Sequence, residues 1–403
     1  MPHLPRRPHP VVRQRRRRST GLLTAAVVGA LTAGLVAVAG PQLTATTTPA
    51  PGAQPQAADA APATPADTCA PRVAALSVRD RLAQRLMVGV DASDPAGATA
   101  IVRGSRVGGV FLGGNATALL QQNRLDALQK ASPTPLAVAV DEEGGRVQRI
   151  DELDGDVPSA REMAASRTPE QVTATARERA GQLRARGVTW NLAPSVDVSD
   201  QPASSVIGDR SFSNDPDTVT RYAAAWAEGQ QAGGVYGVLK HFPGHGHSSG
   251  DSHKGSVSTP SLQELWASDL KPYAALVGPG KPLDGRVGVM LGHLDVPGLT
   301  SDVPSSIDPA AYRLLRTDYG FDGLAMTDDL GAMKAITDRF GLAEATTRAL
   351  AAGADVALSS NVTPVAPLLD AAEKALADGR ITAAGNDTAV ARVLEAKGLC
   401  RRG

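Results

Sequence analysis

The sequence has no excess of charge of either sign. Its 403 residues contain 41 acidic side chains and 41 Lys plus Arg, and seven of the arginines lie before residue 19. A chain with this balance has no overall positive field that would attract a nucleic acid. Nucleic acid is therefore not expected as a partner, and the folded part should be slightly acidic.

Cysteine and aromatic residues are also scarce. Aromatics make up 3% of the chain, but 42% of the residues are hydrophobic, which is enough for the core of one sizeable domain. Neither cysteine, Cys69 nor Cys400, follows an apolar run in a Leu-x-x-Cys setting, and this argues against lipid attachment. In an oxidising compartment we expect a disulfide between them that joins the two ends of the folded domain. The alternative is a pair of unpaired buried thiols.

The amino-terminal 68 residues are not expected to belong to that domain. Residues 1–40 combine a run of arginines with an uncharged segment at 21–40, as an export signal does, although about 20 apolar residues are also enough for a membrane anchor. Residues 41–68 are rich in Pro, Ala and Thr without hydrophobic periodicity, which predicts a flexible linker. We therefore expect a secreted or extracytoplasmic protein whose single folded domain spans residues 69–403, with membrane contact only through an uncleaved leader.

Short apolar runs alternate with alanine-rich amphipathic stretches after residue 69. This pattern predicts an α/β fold with a parallel sheet and crossover helices. The predicted strands are residues 85–90, 109–112, 136–140, 189–192, 235–239, 287–291, 323–326 and 355–358. Eight repeats of this length fit a single (β/α)8 TIM-type barrel. Polar caps, prolines and glycines predict helices that run from Pro169 to Gly187 and from Pro216 to Gly233.

Polar residues follow several of the predicted strands. They lie at 141–145, 194–197, 240–246, 293 and 327–329. The carboxyl ends of the strands converge on one face of a barrel, where active sites are built. These segments therefore predict the location of a functional site.

The glycine-rich segment 240–253 contains four of the seven histidines. Three interpretations compete: zinc binding by His241, His245, His247 and His253, a structural loop of hydrogen-bonded histidines, or catalysis by Asp251 and His253. In extended chain, residues two positions apart point to the same side, so Asp251 would orient the imidazole of His253. No second ligand cluster is evident, and we expect neither a metal nor a cofactor.

Two further carboxylates lie at predicted strand ends. Asp328 and Asp329 follow the seventh strand, where a carboxylate can be a nucleophile, a metal ligand or the N-cap of a helix at 330–335. Only one of the two is expected to face the substrate, because adjacent strand residues point to opposite sides. Asp141 follows the third strand with Arg146 and Arg149 nearby, which suits recognition of sugar hydroxyls or, alternatively, a helix cap beside solvated arginines.

Five motifs resemble the short, single-domain β-N-acetylhexosaminidases of glycoside hydrolase family 3. They are DEEGGRVQR at 141–149, VIGDRSFS at 206–213, KHFPGHG at 240–246, DSH at 251–253, and GFDG through TDDL at 320–330. They follow one another in the family's order, and the similarity extends from about residue 78 to about residue 399.

The resemblance implies a retaining hydrolase that removes terminal β-linked N-acetylglucosamine from peptidoglycan- or chitin-derived oligosaccharides. Asp328 would be the nucleophile, His253 the acid/base and Asp251 the residue that orients His253. The residues that match sugar-binding positions are Asp141, Arg149, Arg210, Lys240 and His241. Export would place this activity in cell-wall turnover, by a monomer.

Two alternatives remain open from the sequence. A neutral histidine repels an incoming anion less than a carboxylate does, so phosphate can compete with water as the acceptor and make the enzyme a phosphorylase. The other is a wall-sugar-binding protein without turnover. One residue departs from the family pattern, since His247 follows KHFPGHG where Asp or Asn is usual.

Overall fold

The computed structural model describes residues 66–362 and 364–403. The predicted export signal or anchor at 1–40 and nearly all of the predicted linker at 41–68 lie outside the described residues. Within the described part of the chain, no helix combines the length and hydropathy needed to cross a membrane.

The described residues form a closed barrel of eight parallel strands. The strands are β1 (Leu86–Gly89), β2 (Gly109–Phe111), β3 (Ala137–Val140), β4 (Trp190–Asn191), β5 (Tyr236–Phe242), β6 (Val287–Leu291), β7 (Ala325–Asp329) and β8 (Val356–Ser359). Each strand pairs with the next along the chain, and β8 closes the barrel by pairing with β1. The predicted (β/α)8 barrel is confirmed, and each predicted strand overlaps an observed one.

Helices connect the strands and cover the outside of the barrel. They are α1 (Cys69–Ala74), α2 (Val78–Gln84), α3 (Pro95–Ser105), α4 (Leu125–Ala131), α5 (Asp151–Asp154), α6 (Ala160–Ser166), α7 (Pro169–Ala185), α8 (Pro216–Ala232), α9 (Leu262–Ala267), α10 (Lys271–Leu276), α11 (Pro309–Arg313), α12 (Lys334–Thr337), α13 (Leu342–Ala352), α14 (Ala366–Ala377) and α15 (Ala383–Ala396). Short 3-10 turns lie at Ala118–Leu120, Gly208–Arg210 and Ser305–Ile307, and one π-helical turn lies at Leu314–Asp318.

Two long helices begin where the sequence punctuation indicates. Thr168 caps α7 and Asp215 caps α8, each by accepting a backbone N–H from the first turn, and a proline occupies that turn in both helices. The helices end just before Gly187 and Gly233, as predicted.

The strands are apolar on both sides of the barrel wall. Met87 packs into the hydrophobic cluster inside the barrel, together with Met290 and Met326, whereas its neighbour Val88 packs into the larger cluster between strands and helices. A parallel sheet covered on both faces needs apolar residues at successive positions. This explains why the sequence shows continuous apolar runs at the strands.

The two ends of the described chain meet at the amino ends of the strands. Cys69 and Cys400 form the predicted disulfide, across a sequence separation of 331 residues. The backbones of Thr68 and Arg401 are hydrogen bonded beside it. Val393 of α15 packs into the cluster inside the barrel, so this helix closes the barrel at that end.

Two strands continue further than the sequence indicates. β5 extends to Phe242 and β7 to Asp329, and in both the pairing register shifts near the carboxyl end. Lys240 and Asp328 therefore belong to the strands themselves, whereas the sequence places them in the following loops. Side chains on strands are held more rigidly than side chains on loops.

Candidate active site

Charged and polar side chains converge at the carboxyl ends of five consecutive strands. Asp141 follows β3, Asp197 follows β4, Lys240 and His241 lie at the end of β5, His293 follows β6, and Asp328 lies at the end of β7. Their contacts with one another place them in one site at the face where barrel enzymes bind substrate.

Lys240 joins two carboxylates at the base of this site. Its Nζ lies 2.5 Å from Asp141 Oδ1 and 2.6 Å from Glu143 Oε1. Arg210 binds the same Glu143 through two hydrogen bonds of 2.8 Å, one donated by its Nε and one by a terminal nitrogen. The result is a chain of alternating charges in which Asp141 is the most exposed of the four side chains.

The electrostatics of this chain favour full ionisation. Burial alone would raise the pKa of Glu143, but the adjacent Arg210 and Lys240 outweigh burial and hold that pKa far below its usual range. Burial would likewise lower the pKa of Lys240, yet Asp141 and Glu143 raise it. The buried charges thus compensate each other.

Arg149 lies on the opposite side of Asp141. One of its terminal nitrogens is 4.0 Å from Asp141 Oδ2. Its Nε–H is buried and has no hydrogen-bond partner within residues 66–362 and 364–403. Arg146 instead donates to the carbonyls of Val206 and Ile207, so it positions the segment that carries Arg210.

Asp197 organises the end of β5. Its fully buried carboxylate accepts the Nδ1 proton of His241 at 2.7 Å and the backbone N–H of His245 at 2.7 Å. Burial opposes ionisation of Asp197, but the nearby His241 and His245 lower its pKa well below the ordinary value. Because Nδ1 of His241 is occupied by Asp197, its Nε2 is directed to the site, 3.4 Å from Arg210.

Asp328 is a buried carboxylate that faces a positively polarised environment. Only 6% of the residue is exposed, and one carboxylate oxygen accepts the backbone N–H of Asp329 at 2.8 Å. Burial would raise the pKa of Asp328, but His241 and His293 together with that N–H lower it. The carboxylate is therefore ionised at neutral pH.

Asp329 has a different environment from Asp328. It accepts the backbone N–H groups of Gly331 and Ser360, each at 2.8 Å, and so ties β7 to the segment after β8. The N-cap interpretation of this pair is wrong, because the next helix, α12, begins only at Lys334 and Met333 precedes it without a side-chain cap.

His293 is buried beside Asp328. Its Nε2 lies 2.8 Å from the carbonyl oxygen of Asp329, to which it donates, and its Nδ1 lies 2.7 Å from Ser306 Oγ. Burial lowers the pKa of His293 although Asp328 and Asp329 act in the opposite direction. The hydrogen bond that His293 donates fixes the backbone of Asp329.

Asp251 and His253 form a contact on the long loop that follows β5. His253 Nδ1 lies 2.9 Å from Asp251 Oδ1, and the backbone N–H of His253 donates to the same oxygen at 3.0 Å. The backbone between Asp251 and His253 forms a turn, whereas the sequence predicted an extended segment. The side chain of His253 is 56% exposed, so its Nε2 is accessible to a bound molecule.

The loop that carries this pair is fastened to the segment after β7. The carbonyl of Ser252 accepts the backbone N–H of Ala335 at 3.0 Å, and Ser252 Oγ contacts the sulfur of Met333 at 3.6 Å. The loop thereby lies beside the chain that continues from Asp328.

The four histidines of segment 240–253 do not form a common cluster. His241 contacts Asp197, His245 contacts Ser248, His247 contacts Asp269 and His253 contacts Asp251. Within residues 66–362 and 364–403, no group of three His, Cys, Asp or Glu side chains is arranged to hold a metal ion. Each ring instead has a hydrogen-bond partner of its own.

Comparison with known proteins agrees with this geometry. The family described as "Glycosyl hydrolase family 3 N terminal domain" matches residues 77–396. The chain belongs to glycosyl hydrolase family 3. Within this family it is a β-hexosaminidase, and it is 48% identical over 354 residues to Beta-hexosaminidase LpqI of Mycobacterium tuberculosis, covering 84% of this chain and 89% of the relative.

Solved structures of family 3 proteins superpose on this β-hexosaminidase. A family 3 glycosyl hydrolase from Mycobacterium smegmatis matches with a TM-score of 0.77 and 48% identity, covering 82% of this chain and 99% of the other. A beta-N-acetylhexosaminidase from Beutenbergia cavernae matches with a TM-score of 0.71 and 31% identity, covering 80% and 99% of the two chains.

The sequence prediction assigned no role to four residues of this family 3 site. Glu143, Asp197, His293 and Asp269 all make buried contacts with site residues or with the loop after β5. The first three lie at predicted strand ends, so the sequence could predict that they are near the site. It could not predict which side chains they contact. Asp269 lies between α9 and α10, and no sequence signal marks it.

Proposed function

We propose that this β-hexosaminidase removes terminal β-linked N-acetylglucosamine from peptidoglycan- or chitin-derived oligosaccharides with retention of configuration. Asp328 is the nucleophile, His253 the acid/base and Asp251 the residue that orients His253. The observation that carries the proposal is the ionised, buried Asp328 at the end of β7, beside the loop that presents the Asp251–His253 pair.

The first step forms a bond between Asp328 and the anomeric carbon of the sugar. A carboxylate is effective in this role when it is ionised and poorly solvated, and both conditions hold for Asp328. The bond to the aglycone oxygen breaks as the new bond forms, and that oxygen takes a proton from Nε2 of His253. The carboxylate of Asp251 stabilises the protonated imidazole through Nδ1 until the transfer occurs.

The second step reverses these roles. His253, now neutral, removes a proton from a water molecule as the water oxygen attacks the anomeric carbon. The ester bond to Asp328 breaks, and the carboxylate and the sugar are released. Two displacements on the same carbon give net retention.

The sugar-binding residues are Asp141, Arg149, Arg210, Lys240 and His241. Asp141 remains partly exposed beside its contact with Lys240, which leaves a carboxylate oxygen for sugar hydroxyls. The buried Nε–H of Arg149 lacks a partner within the described residues, so a ligand oxygen would satisfy it. Asp141 directly follows β3, and Lys240 and His241 lie on β5, which holds these three groups rigidly.

The disulfide supports an extracytoplasmic location for this reaction. Disulfides persist in oxidising compartments and are rare in reducing ones. Cys69 and Cys400 are buried or half-buried and joined across nearly the whole domain. Recovery of the full-length chain, with its first 40 residues intact, from the cytosolic fraction of the producing cell would contradict this part of the proposal.

The mechanism is tested with chromogenic N-acetyl-β-glucosaminide and the matching β-glucoside, using the wild type, Asp328→Ala and His253→Ala, with and without phosphate. We expect cleavage of the acetamido sugar only and severe loss in both variants. A 5-fluoro analogue with an activated leaving group should label the peptide that contains Asp328. As a control, Arg348→Ala removes an exposed ion pair on α13 and should not alter turnover.

Three results would change the proposal. Label on a different carboxylate would exclude Asp328 as the nucleophile. Formation of N-acetylglucosamine 1-phosphate in phosphate buffer would redirect the reaction to phosphorolysis. An inverted anomer as the first product, observed by NMR, would exclude the covalent intermediate.

A further inference from the structure

Asp269 is a buried carboxylate with one side-chain partner. It is 2% exposed, and its two oxygens lie 2.9 and 3.1 Å from Nδ1 of His247. Among the hydrogen bonds and ion pairs of residues 66–362 and 364–403, no other contact to this carboxylate is present. A buried carboxylate without a countercharge is strongly unfavourable, so Asp269 depends on the proton that His247 carries.

The loop after β5 is divided here into a stem, residues 243–247, and a tip, residues 248–258. His247 lies in the stem and His253 in the tip. The loop leaves β5 through Gly244, where a side chain would collide with Cβ of Asp269 at 2.4 Å, and passes Gly246, where a side chain would collide with the carbonyl of Val198 at 1.9 Å. The stem therefore packs directly against Asp269 and the segment after β4. His247, the last residue of the stem, contacts the same Asp269 through its side chain.

The tip of the loop is held on one side by Ser252, whose carbonyl accepts the backbone N–H of Ala335 at 3.0 Å, whereas other positions in it are open. Gly250 and Gly255 have open space around the position of a side chain. The tip is closed at its base by hydrogen bonds between Ser249 and Ser258 in both directions. The position of the Asp251–His253 pair thus depends both on the contact of Ser252 with Ala335 and on the stem.

We propose that the His247–Asp269 ion pair is a proton-dependent clamp that positions the tip of the loop, and hence His253, for catalysis. His247 is a positioning residue in this proposal and makes no contact with substrate. The inference rests on the proposed function of His253.

The charges around His247 favour its protonated form at mildly acidic pH. The hydrogen bond that His247 donates to Asp269 raises the pKa of His247, and burial opposes this. Asp200 and Asp197 act in the same direction as Asp269. The hydroxyl of Tyr273 on α10 also lies near Asp269 and stays neutral, because burial raises its pKa well above the ordinary value. The clamp is therefore closed below about pH 6.5 and opens as pH rises through the raised pKa of His247.

The clamp acts on turnover more than on sugar binding. The proposed sugar-binding groups, such as Asp141 and Lys240, lie on or beside strands that the clamp does not touch. Displacement of His253 by about 1 Å is enough to reduce a rate by up to about 100-fold. Loss of the clamp should therefore lower kcat and leave KM nearly unchanged.

The test compares the wild type with His247→Gln, Asp269→Asn and the double variant. We expect kcat to fall about tenfold in each single variant at pH 6, with KM changed by less than about twofold. The ratio of wild-type to variant kcat should approach one as pH rises through the raised pKa of His247 and the proton is lost. The double variant should lose no more than either single variant.

Hydrogen–deuterium exchange provides a readout that does not require turnover. At pH 6, peptides from residues 248–258 should exchange faster in His247→Gln and Asp269→Asn than in the wild type, and those of β5 should not. A constant ratio of kcat from pH 6 to pH 9, or unchanged exchange, would overturn the clamp. If His253→Ala retains activity while exchange follows the prediction, the assigned role of His253 is wrong and the clamp itself is not.

Discussion

His241 Nδ1 donates a hydrogen bond of 2.7 Å to Asp197 Oδ2, and both residues are buried. The same carboxylate also accepts the Oγ–H of Ser195 at 2.9 Å and the backbone N–H of His245 at 2.7 Å. One buried charge thus joins β4 to β5 and to the start of the loop that carries His253.

Asp197→Asn should reduce both stability and activity. The amide cannot accept all the hydrogen bonds that the carboxylate accepts from Ser195, His241 and His245, so buried donors lose their partner and we expect a loss of about 3 kcal/mol in the free energy of unfolding. Urea unfolding and kcat/KM measure the two effects. Asp338→Asn, at an exposed position after α12, is the control, and a loss of equal size there would contradict the assignment.

Asp328 and Asp329 should respond differently to the same substitution. Asp328→Asn should lower kcat by at least about 10³-fold while the protein remains folded, because the proposed nucleophile is lost. Asp329→Asn should chiefly lower the melting temperature, since Asp329 holds the backbones of Gly331 and Ser360. If Asp329→Asn abolishes turnover in a stable protein and Asp328→Asn does not, the two roles are exchanged.

Stability should fall steeply with acid. The pKa values of Glu143, Asp197 and Asp328 are lowered in the folded state, so their contribution is present above the ordinary carboxyl pKa and is lost as pH falls through the folded values. Glu142 acts in the opposite direction, because burial raises its pKa. Urea midpoints from pH 6 to pH 3 should fall, with a shallower dependence in Glu143→Gln than in the wild type.

Arg210→Lys should weaken sugar binding more than it affects folding. The guanidinium donates two parallel hydrogen bonds of 2.8 Å to Glu143, which an ammonium group cannot reproduce. Glu143 would then pull Lys240 away from Asp141, and KM should rise about tenfold. The same substitution at the exposed Arg103 of α3 is the control, and an equal rise in KM there would exclude a specific effect.

Removal of the disulfide should destabilise the protein without loss of activity per folded molecule. Chain-entropy models assign roughly 5 kcal/mol to a crosslink that closes a loop of this length, and measured values are often smaller. Reductant should lower the urea midpoint of the wild type and leave that of the Cys69→Ser/Cys400→Ser variant unchanged. Equal sensitivity of both proteins to reductant would contradict this explanation.

The sequence predicted the barrel well because its strands are buried on both faces. Their apolar runs stand out from the amphipathic helices, and all eight were located. The predicted boundaries were wrong where site residues interrupt the apolar pattern. Lys240 and His241 lie near the end of β5, and Asp328 and Asp329 end β7. Because these residues are polar, the last paired positions of both strands were predicted as lying outside the strands. Hydrophobic periodicity cannot mark a strand end that consists of site residues.

The site was only partly accessible from the sequence. In the run 141–143, alternation places Asp141 and Glu143 toward Lys240, whereas Glu142 faces Arg179 of α7 at 3.6 Å. That alternation could have identified Glu143. The contact between His247 and Asp269 joins residues 22 positions apart across a helix, and only the packing of α9 and the loop brings them together.

The disulfide lies at the end of the barrel opposite the active site. Cys69 and Cys400 lie at the amino ends of the strands, whereas Asp328 and Lys240 open at the carboxyl ends. The crosslink and the site therefore occupy opposite ends of the barrel, so chemistry at one end can be altered without changing the residues of the other.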